Sequence, residues 1–268
     1  MDQLQEEGFK MAKAASLTKD FRIVERRSNT HCVLSNRYGK KKFLKYPRNA
    51  DRSMLIELLN EVIVDRIHEK IGLNSVKVFF ENVDGRLGLI EDYYPTNWNH
   101  VNANPNLEVK NKELFGRLLV AELLVRQTDR APSKLEHIGV EEKNGVIAWV
   151  PIDNGHSLKG WNKEYTGLDE DLNVQFISNL FSSTQIDSFE EVRKGINIVE
   201  TLDFAEIVAE ATQELYSKSE IWTDDARDYY EAYGEEVILF LGTRREKIEA
   251  VLVEWWNQKQ NIIQGGEN

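Results

Sequence analysis

Thr128-Asp129-Arg130-Ala131-Pro132-Ser133-Lys134 and, further on, Ile152-Asp153-Asn154-Gly155-His156 are the two runs on which the reading of this chain turns. The first follows Glu113–Gln127 (ELFGRLLVAELLVRQ), whose apolar density reads as a buried helix. The second ends the apolar run Val146 to Ile152, a short strand. One acid directly after a buried helix and another directly after a buried strand bring two carboxylates to the rim of one core. An acid leaving a buried strand needs a cation nearby. Gly155 lets the chain turn sharply behind it. The competing readings are a helix cap with a surface ion pair at Asp129-Arg130 and an Asp-Asn-Gly hairpin turn at Asp153.

Upstream of these runs, the segments Phe21–Glu25, Thr30–Ser35 and Lys42–Tyr46 read as strands, with turn chemistry at Asn36–Lys40. Pro47 stops the third. Ala50–Ile71 carries Leu55, Leu58, Leu59, Val62, Ile63 and Ile67 at helical spacing, and Gly72 is placed to end it. Val76–Glu81 and Arg86–Tyr94 are strands around Val83-Asp84-Gly85. This predicts a small N-terminal lobe over residues 1–94. Pro95–Pro105 suits a crossover loop, and residues 95–268 form a helical C-terminal lobe. Its expected helices are Val174–Leu180, Phe189–Val199, Phe204–Tyr216, Ala226–Gly234 and Gly242–Gln260. The expected class is α+β: an antiparallel sheet plus one helix, then a larger, mainly helical part.

Composition narrows the function. The 268 residues hold one cysteine, Cys32, which excludes an internal disulfide and a cysteine-rich zinc site and fits a reducing, cytoplasmic setting. The polar first twenty residues do not read as a secretory signal, and no apolar run is long enough for a transmembrane segment. A net charge of −11 argues against direct nucleic-acid binding and against an anionic membrane. A local basic cluster (Arg37, Lys40, Lys41, Lys42, Lys45, Arg48, Arg52) reads either as a solvated hairpin tip or as a phosphate-facing patch.

Lys45 stands in an apolar strand and must find an anion or point to water. Glu57 and Glu61, one turn apart on the following helix, are the candidates, with Glu61 preferred. A strand lysine paired with a helix glutamate holds phosphates in protein kinases. Asp129 could accept a proton from an attacking hydroxyl, and Arg130 could position its loop. Mg²⁺ suits a carboxylate such as Asp153 acting together with phosphate oxygens. No HExxH spacing, Gly-x-Ser-x-Gly elbow or Walker A lysine competes.

Four pieces then resemble the HipA-like kinases and the related phosphatidylinositol 3/4-kinase-like proteins. They are FLKYP (Phe43–Pro47), LNEVIVDRIHEKIGL (Leu59–Leu73), TDRAP (Thr128–Pro132) and PIDNGHSL (Pro151–Leu158). The resemblance covers about Phe21 to Trp161 and implies a two-lobed protein-kinase-like fold. By it, Lys45 contacts ATP phosphates, Glu61 pairs with Lys45, Asp129 is the catalytic carboxylate and Asp153 binds Mg²⁺. Glu91, Asp92 and Tyr93 would form the hinge against adenine. The family's second metal ligand, an asparagine after Asp-Arg, falls here on Lys134, or on His137 if the loop is longer. The turn Arg26–Thr30 lacks glycine, and Arg26 or Arg27 could serve there. The implied function is transfer of the ATP γ-phosphoryl to a Ser/Thr hydroxyl of a protein substrate. The alternatives are a phosphoinositide kinase and a nucleotide-binding pseudokinase acting as a regulatory module.

Overall fold

Alternating apolar positions in the first third of the chain build a five-stranded sheet. In the computed structural model it comprises β1 (Phe21–Arg26), β2 (His31–Asn36), β3 (Lys41–Lys45), β4 (Phe79–Val83) and β5 (Arg86–Asp92). The order is β1-β2-β3-β5-β4, and neighbours are antiparallel throughout. The residues described are 20–28, 30–47, 52–74, 76–83, 86–97, 108–127, 138–155, 157, 158, 172, 186, 188–218 and 223–265. Helix α1 (Arg52–Lys70) crosses over between β3 and β4. Its apolar residues surround the axis, and Leu55, Ile56, Leu58, Leu59, Val62, Ile63, Val64 and Ile67 are all buried. A helix that is apolar on every side is one packed on every side, and α1 lies in the main core together with residues of both parts of the chain. Gly72 ends it with φ +81°, which costs other residues more than glycine, while Leu73 N donates to His68 O at 2.9 Å.

The second part opens with a small sheet and closes with long helices. Strands β6 (Thr96–Asn97), β7 (Glu108–Val109), β8 (Ile138–Lys143) and β9 (Val146–Pro151) are ordered β6-β8-β9-β7, with β7 parallel to β9. Helix α2 (Phe115–Val125) precedes β8, and among the described residues α3 (Phe189–Thr201), α4 (Phe204–Ser217) and α5 (Asp224–Gly265) follow β9. Trp149 on β9 is fully buried and stacks on Phe115 of α2 at 4.6 Å. Ser188 accepts from Glu190 N and Asp203 from Glu206 N, so both α3 and α4 start on side-chain caps. The chain is therefore α+β, with an antiparallel N-terminal sheet and a mainly helical C-terminal part.

Three departures from expectation have physical causes. Ala226–Gly234 and Gly242–Gln260 are not separate helices but one helix of 42 residues. Each internal glycine costs it only about 1 kcal/mol. A continuous stripe from Tyr230 through Val237, Phe240, Leu241, Ile248 and Leu252 to Trp255 is buried along it. Strand β8 went unanticipated because Glu141, Glu142 and Lys143 break its apolar run, although β9 supplies a full ladder for it. The strand expected from Val76 begins only at Phe79, since Lys77 takes φ +54° and Val78 N bonds to Asp65 Oδ2 at 3.4 Å instead of to a strand. The expected helix Val174–Leu180 lies outside the described residues.

The two sides of the five-stranded sheet end differently. At β4, Phe80 N donates to Glu214 Oε1 on α4 at 2.8 Å. At β1 the register shifts between Ile23 and Glu25, and Arg22, Glu25 and Arg26 are exposed.

Candidate functional site

Lys45 ends β3 on the face opposite Leu44 and Tyr46, turned toward Glu61 of α1, and the residue is only 5% exposed. Its Nζ donates to Glu61 Oε1 on α1 at 2.6 Å and to Asp153 Oδ1 at 3.0 Å, and lies 3.5 Å from Glu91 Oε1. Phe43 pairs with Glu91 and Lys45 with Leu89 across the β3–β5 ladder. Lys45 and Glu91 are thus diagonal neighbours on one face of the sheet. Of the two acids expected behind Lys45, Glu61 is the partner. Glu57 lies instead beside Gly155.

Three carboxylates face one ammonium here. Burial alone would drive the Lys45 amine down, but Glu61, Glu91 and Asp153 together hold it well above its usual range. Burial pushes the Glu61 carboxyl up to about 8, with Lys45 pulling the other way and Glu91 and Asp153 adding to the rise. Glu91 is raised by the same burial, against Lys45 and with Asp153. Glu61 Oε2 and Glu91 Oε2 are buried without a hydrogen-bond partner. The cluster is thus short of positive charge, and a cation drawn to it would relieve both acids.

Asp153 reaches this cluster from the other side of the cleft. It follows β9 in the left-handed conformation, φ +59°, and its side chain is 52% exposed. That conformation is uncommon outside glycine and persists where neighbours fix it. The buried Gln127 side chain donates to Asp153 O at 3.1 Å, and Leu158 N donates to Val125 O at 2.7 Å. Both anchors belong to the end of α2, where Arg126 adopts φ +57° and the buried Arg244 of α5 donates to Leu123 O at 2.8 and 2.6 Å. The sharp turn expected of Gly155 is therefore carried by Asp153. Gly155 provides room: a Cβ there would stand 2.7 Å from Glu57 Cγ and 3.2 Å from Glu61 Oε1.

The cluster floors an open cavity of about 350 Å³ lined in part by Arg27, Phe43, Tyr93, Tyr94 and Ile152. Its size and its mixture of aromatic walls with a few converging charges suit a small ligand. Arg27 Nη2 donates to Tyr93 OH at 2.7 Å, and its guanidinium lies over the Tyr93 ring at 5.3 Å and the Phe43 ring at 5.9 Å. Burial and the adjacent Asp92 push the Tyr94 hydroxyl up to about 12, so it stays a neutral phenol. The expected hinge differs in detail. Glu91 and Asp92 are still strand residues, Glu91 points to Lys45, and Asp92 binds Lys42 at 2.6 Å.

The structure thus brings Lys45, Glu61, Glu91 and Asp153 together, with Asp92 and Tyr93 at the same cavity. Asp129, Arg130, Lys134 and His137 lie outside the described residues. Among the described residues no group of three or more His, Cys, Asp or Glu side chains could hold a metal ion by itself, and no helix is long and apolar enough to cross a membrane. Sequence reasoning missed the side-chain role of Glu91 and the support from Gln127. A glutamine closing an otherwise apolar helix was the available signal for the latter.

No family model matches the chain, and no curated protein matches it. Among solved structures it is similar to a Helicobacter pylori proinflammatory kinase, CtkA, at 11% identity and a TM-score of 0.49. The match covers 87% of this chain and 98% of that one. A likeness that distant decides neither fold nor activity.

Proposed function

We propose that this chain is an ATP- and Mg²⁺-dependent kinase of the HipA-like kind, dividing near Tyr94 into a nucleotide-binding lobe and a helical lobe. It would transfer the γ-phosphoryl of ATP to a Ser/Thr hydroxyl of a protein in the cytoplasm. The observation that carries the reading is the convergence of Lys45, Glu61 and Asp153 from three separate elements on one ion-paired cluster, of which Lys45 and Asp153 line an open cavity.

The chemistry of the cleft fits a nucleotide that arrives with its cation. Three carboxylates around one ammonium would repel a bare triphosphate, whereas Mg²⁺ binds through one or two carboxylates plus phosphate oxygens. Asp153 is the carboxylate open to the cavity and would hold the ion, with His137 as a second candidate ligand. When bound, Mg²⁺ neutralises charge on the phosphates. Lys45 would move part of its hydrogen bonding from Asp153 to a phosphate oxygen while Glu61 keeps it oriented. Arg27 lies at the cavity where a glycine-rich turn would otherwise approach the phosphates. Tyr93 and Phe43 offer faces for the base. Asp129, two residues after Gln127, would accept the proton of the attacking hydroxyl, with Arg130 setting its loop.

The lipid reading is weakened by its own residues. Of the basic cluster that favoured it, Lys45 is buried and Lys42 is held by Asp92. The test is ATP-dependent ³²P incorporation into the chain or a protein acceptor. Asp153→Asn should abolish it, and unchanged incorporation in that variant discards the assignment. Nucleotide binding without any transfer by the unaltered chain would instead assign a regulatory module.

A further inference from the structure

Asn60 immediately precedes Glu61 on α1 and is wholly buried. Its Nδ2 donates to Ser157 O at 2.8 Å and to Gly155 O at 3.4 Å, and its Oδ1 accepts from Tyr233 OH of α5 at 2.5 Å. One amide therefore joins the helix that carries Glu61, the segment that follows Asp153, and the long C-terminal helix. Only an amide meets this demand, because it alone offers two donors and an acceptor on one short side chain. Burial holds the Tyr233 hydroxyl well above its usual range, with the bond to Asn60 acting the other way, so it remains a donor.

We propose that Asn60 and Tyr233 are a positioning pair that fixes the separation between the Lys45–Glu61 couple and Asp153, and so sets the affinity of the cleft for a magnesium–nucleotide. The last clause rests on the kinase reading; the first does not. Gly155 already touches α1, so the segment has no slack toward the helix. Sliding along it remains open, and the two carbonyl bonds to Asn60 block that movement. Asp153, two residues before Gly155, holds a left-handed conformation that depends on such fixed neighbours. Tyr233 in turn prevents the amide from rotating away. Glu61, residues 153–155 and Ser157 are thereby held as one unit around Lys45.

Two variants cut opposite arms of the junction. Tyr233→Phe keeps the ring and removes the hydroxyl. Asn60→Asp keeps the shape and the acceptor for Tyr233 but loses the donors to Gly155 and Ser157. The first readout needs no nucleotide: the rate at which acetic anhydride labels Lys45, followed by mass spectrometry. Exposed Lys194 and buried Lys259 serve as internal controls. Losing one charge-assisted bond frees the amine for labelling about tenfold more often. Lys45 labelling should rise about tenfold or more in Asn60→Asp and several-fold in Tyr233→Phe, with both controls unchanged. The second readout is the affinity for a fluorescent N-methylanthraniloyl-ATP with Mg²⁺, expected to fall by a comparable factor in the same order. Unchanged Lys45 labelling in both variants overturns the proposal. So does a parallel rise at Lys259, which would mean general loosening. Failure of the unaltered chain to bind the nucleotide sinks the kinase reading, and the labelling comparison still decides the role of Asn60.

Discussion

Replacing Lys45 by methionine keeps most of the side-chain volume and removes the charge that three acids share. The ammonium lies 2.6 Å from Glu61, 3.0 Å from Asp153 and 3.5 Å from Glu91. With it in place, the Glu61 carboxyl is raised from 4.5 to about 8 by burial, Lys45 being the main force in the other direction. Without it, the folded-state value must climb above 8, while the unfolded chain keeps its ordinary one. An acid raised on folding binds more protons folded than unfolded between those two values. Stability therefore falls as pH climbs through the window and levels off above it. In the parent, the loss due to Glu61 is complete near pH 8. In Lys45→Met it continues, at about 1.4 kcal/mol per pH unit for each acid still protonated. The two stability curves should run parallel below about pH 7, separated by a constant offset of about 1–3 kcal/mol for the buried Glu61 bond and at most about 1 kcal/mol for the half-exposed Asp153 bond. Above pH 8 they should diverge by about 1.4 kcal/mol per unit, and faster if Glu91 contributes. Urea denaturation followed by tryptophan fluorescence, in steps from about pH 6 to pH 9.5, measures this directly. A constant offset across that range would refute the claim that Lys45 restrains the ionisation of these buried acids.

Two further outcomes follow from other parts of the molecule. Gly116→Ala places a methyl 2.8 Å from Val192 N and 3.0 Å from Glu191 Cβ, so α2 and α3 must part. The expected loss is about 1–3 kcal/mol in urea denaturation, and an unchanged midpoint would count against the close helix crossing. Arg27→Ala removes the bond to Tyr93 and a cation at the cavity mouth. It should weaken Mg·ATP binding about tenfold in fluorescence titration, as expected for one lost charge-assisted bond, and leave stability unchanged within about 0.5 kcal/mol.

Much of the N-terminal part was legible because its signals are local. Alternation at Phe21–Glu25 and Lys42–Tyr46, turn residues at Asn36–Gly39 and the stop at Gly72 each act within a few residues. The Lys45–Glu61 couple was legible too, since an ammonium in an apolar strand has few places to go and α1 offers only two acids in reach. What escaped depends on partners distant in sequence. Glu91 reads as the polar end of a strand until the β3–β5 register puts it beside Lys45. Asn60 reads as one polar residue in an apolar helix until Tyr233, 173 positions away, closes on it. Gly234 and Gly242 suggest a break that the buried stripe of α5 outweighs. The roles of Asp129 and His137 rest on sequence, since both lie outside the described residues.

The margins of the five-stranded sheet carry a consequence of their own. A strand at the end of a sheet is a template on which a stranger's backbone can lie down. Here one margin has its outward amide engaged by a helix carboxylate, and the other is kinked and studded with charge of both signs. A visiting peptide would have to displace Glu214 at the first or desolvate Arg22 and Arg26 at the second. Strand addition to the sheet that bears Lys45 thereby carries a desolvation cost at either margin.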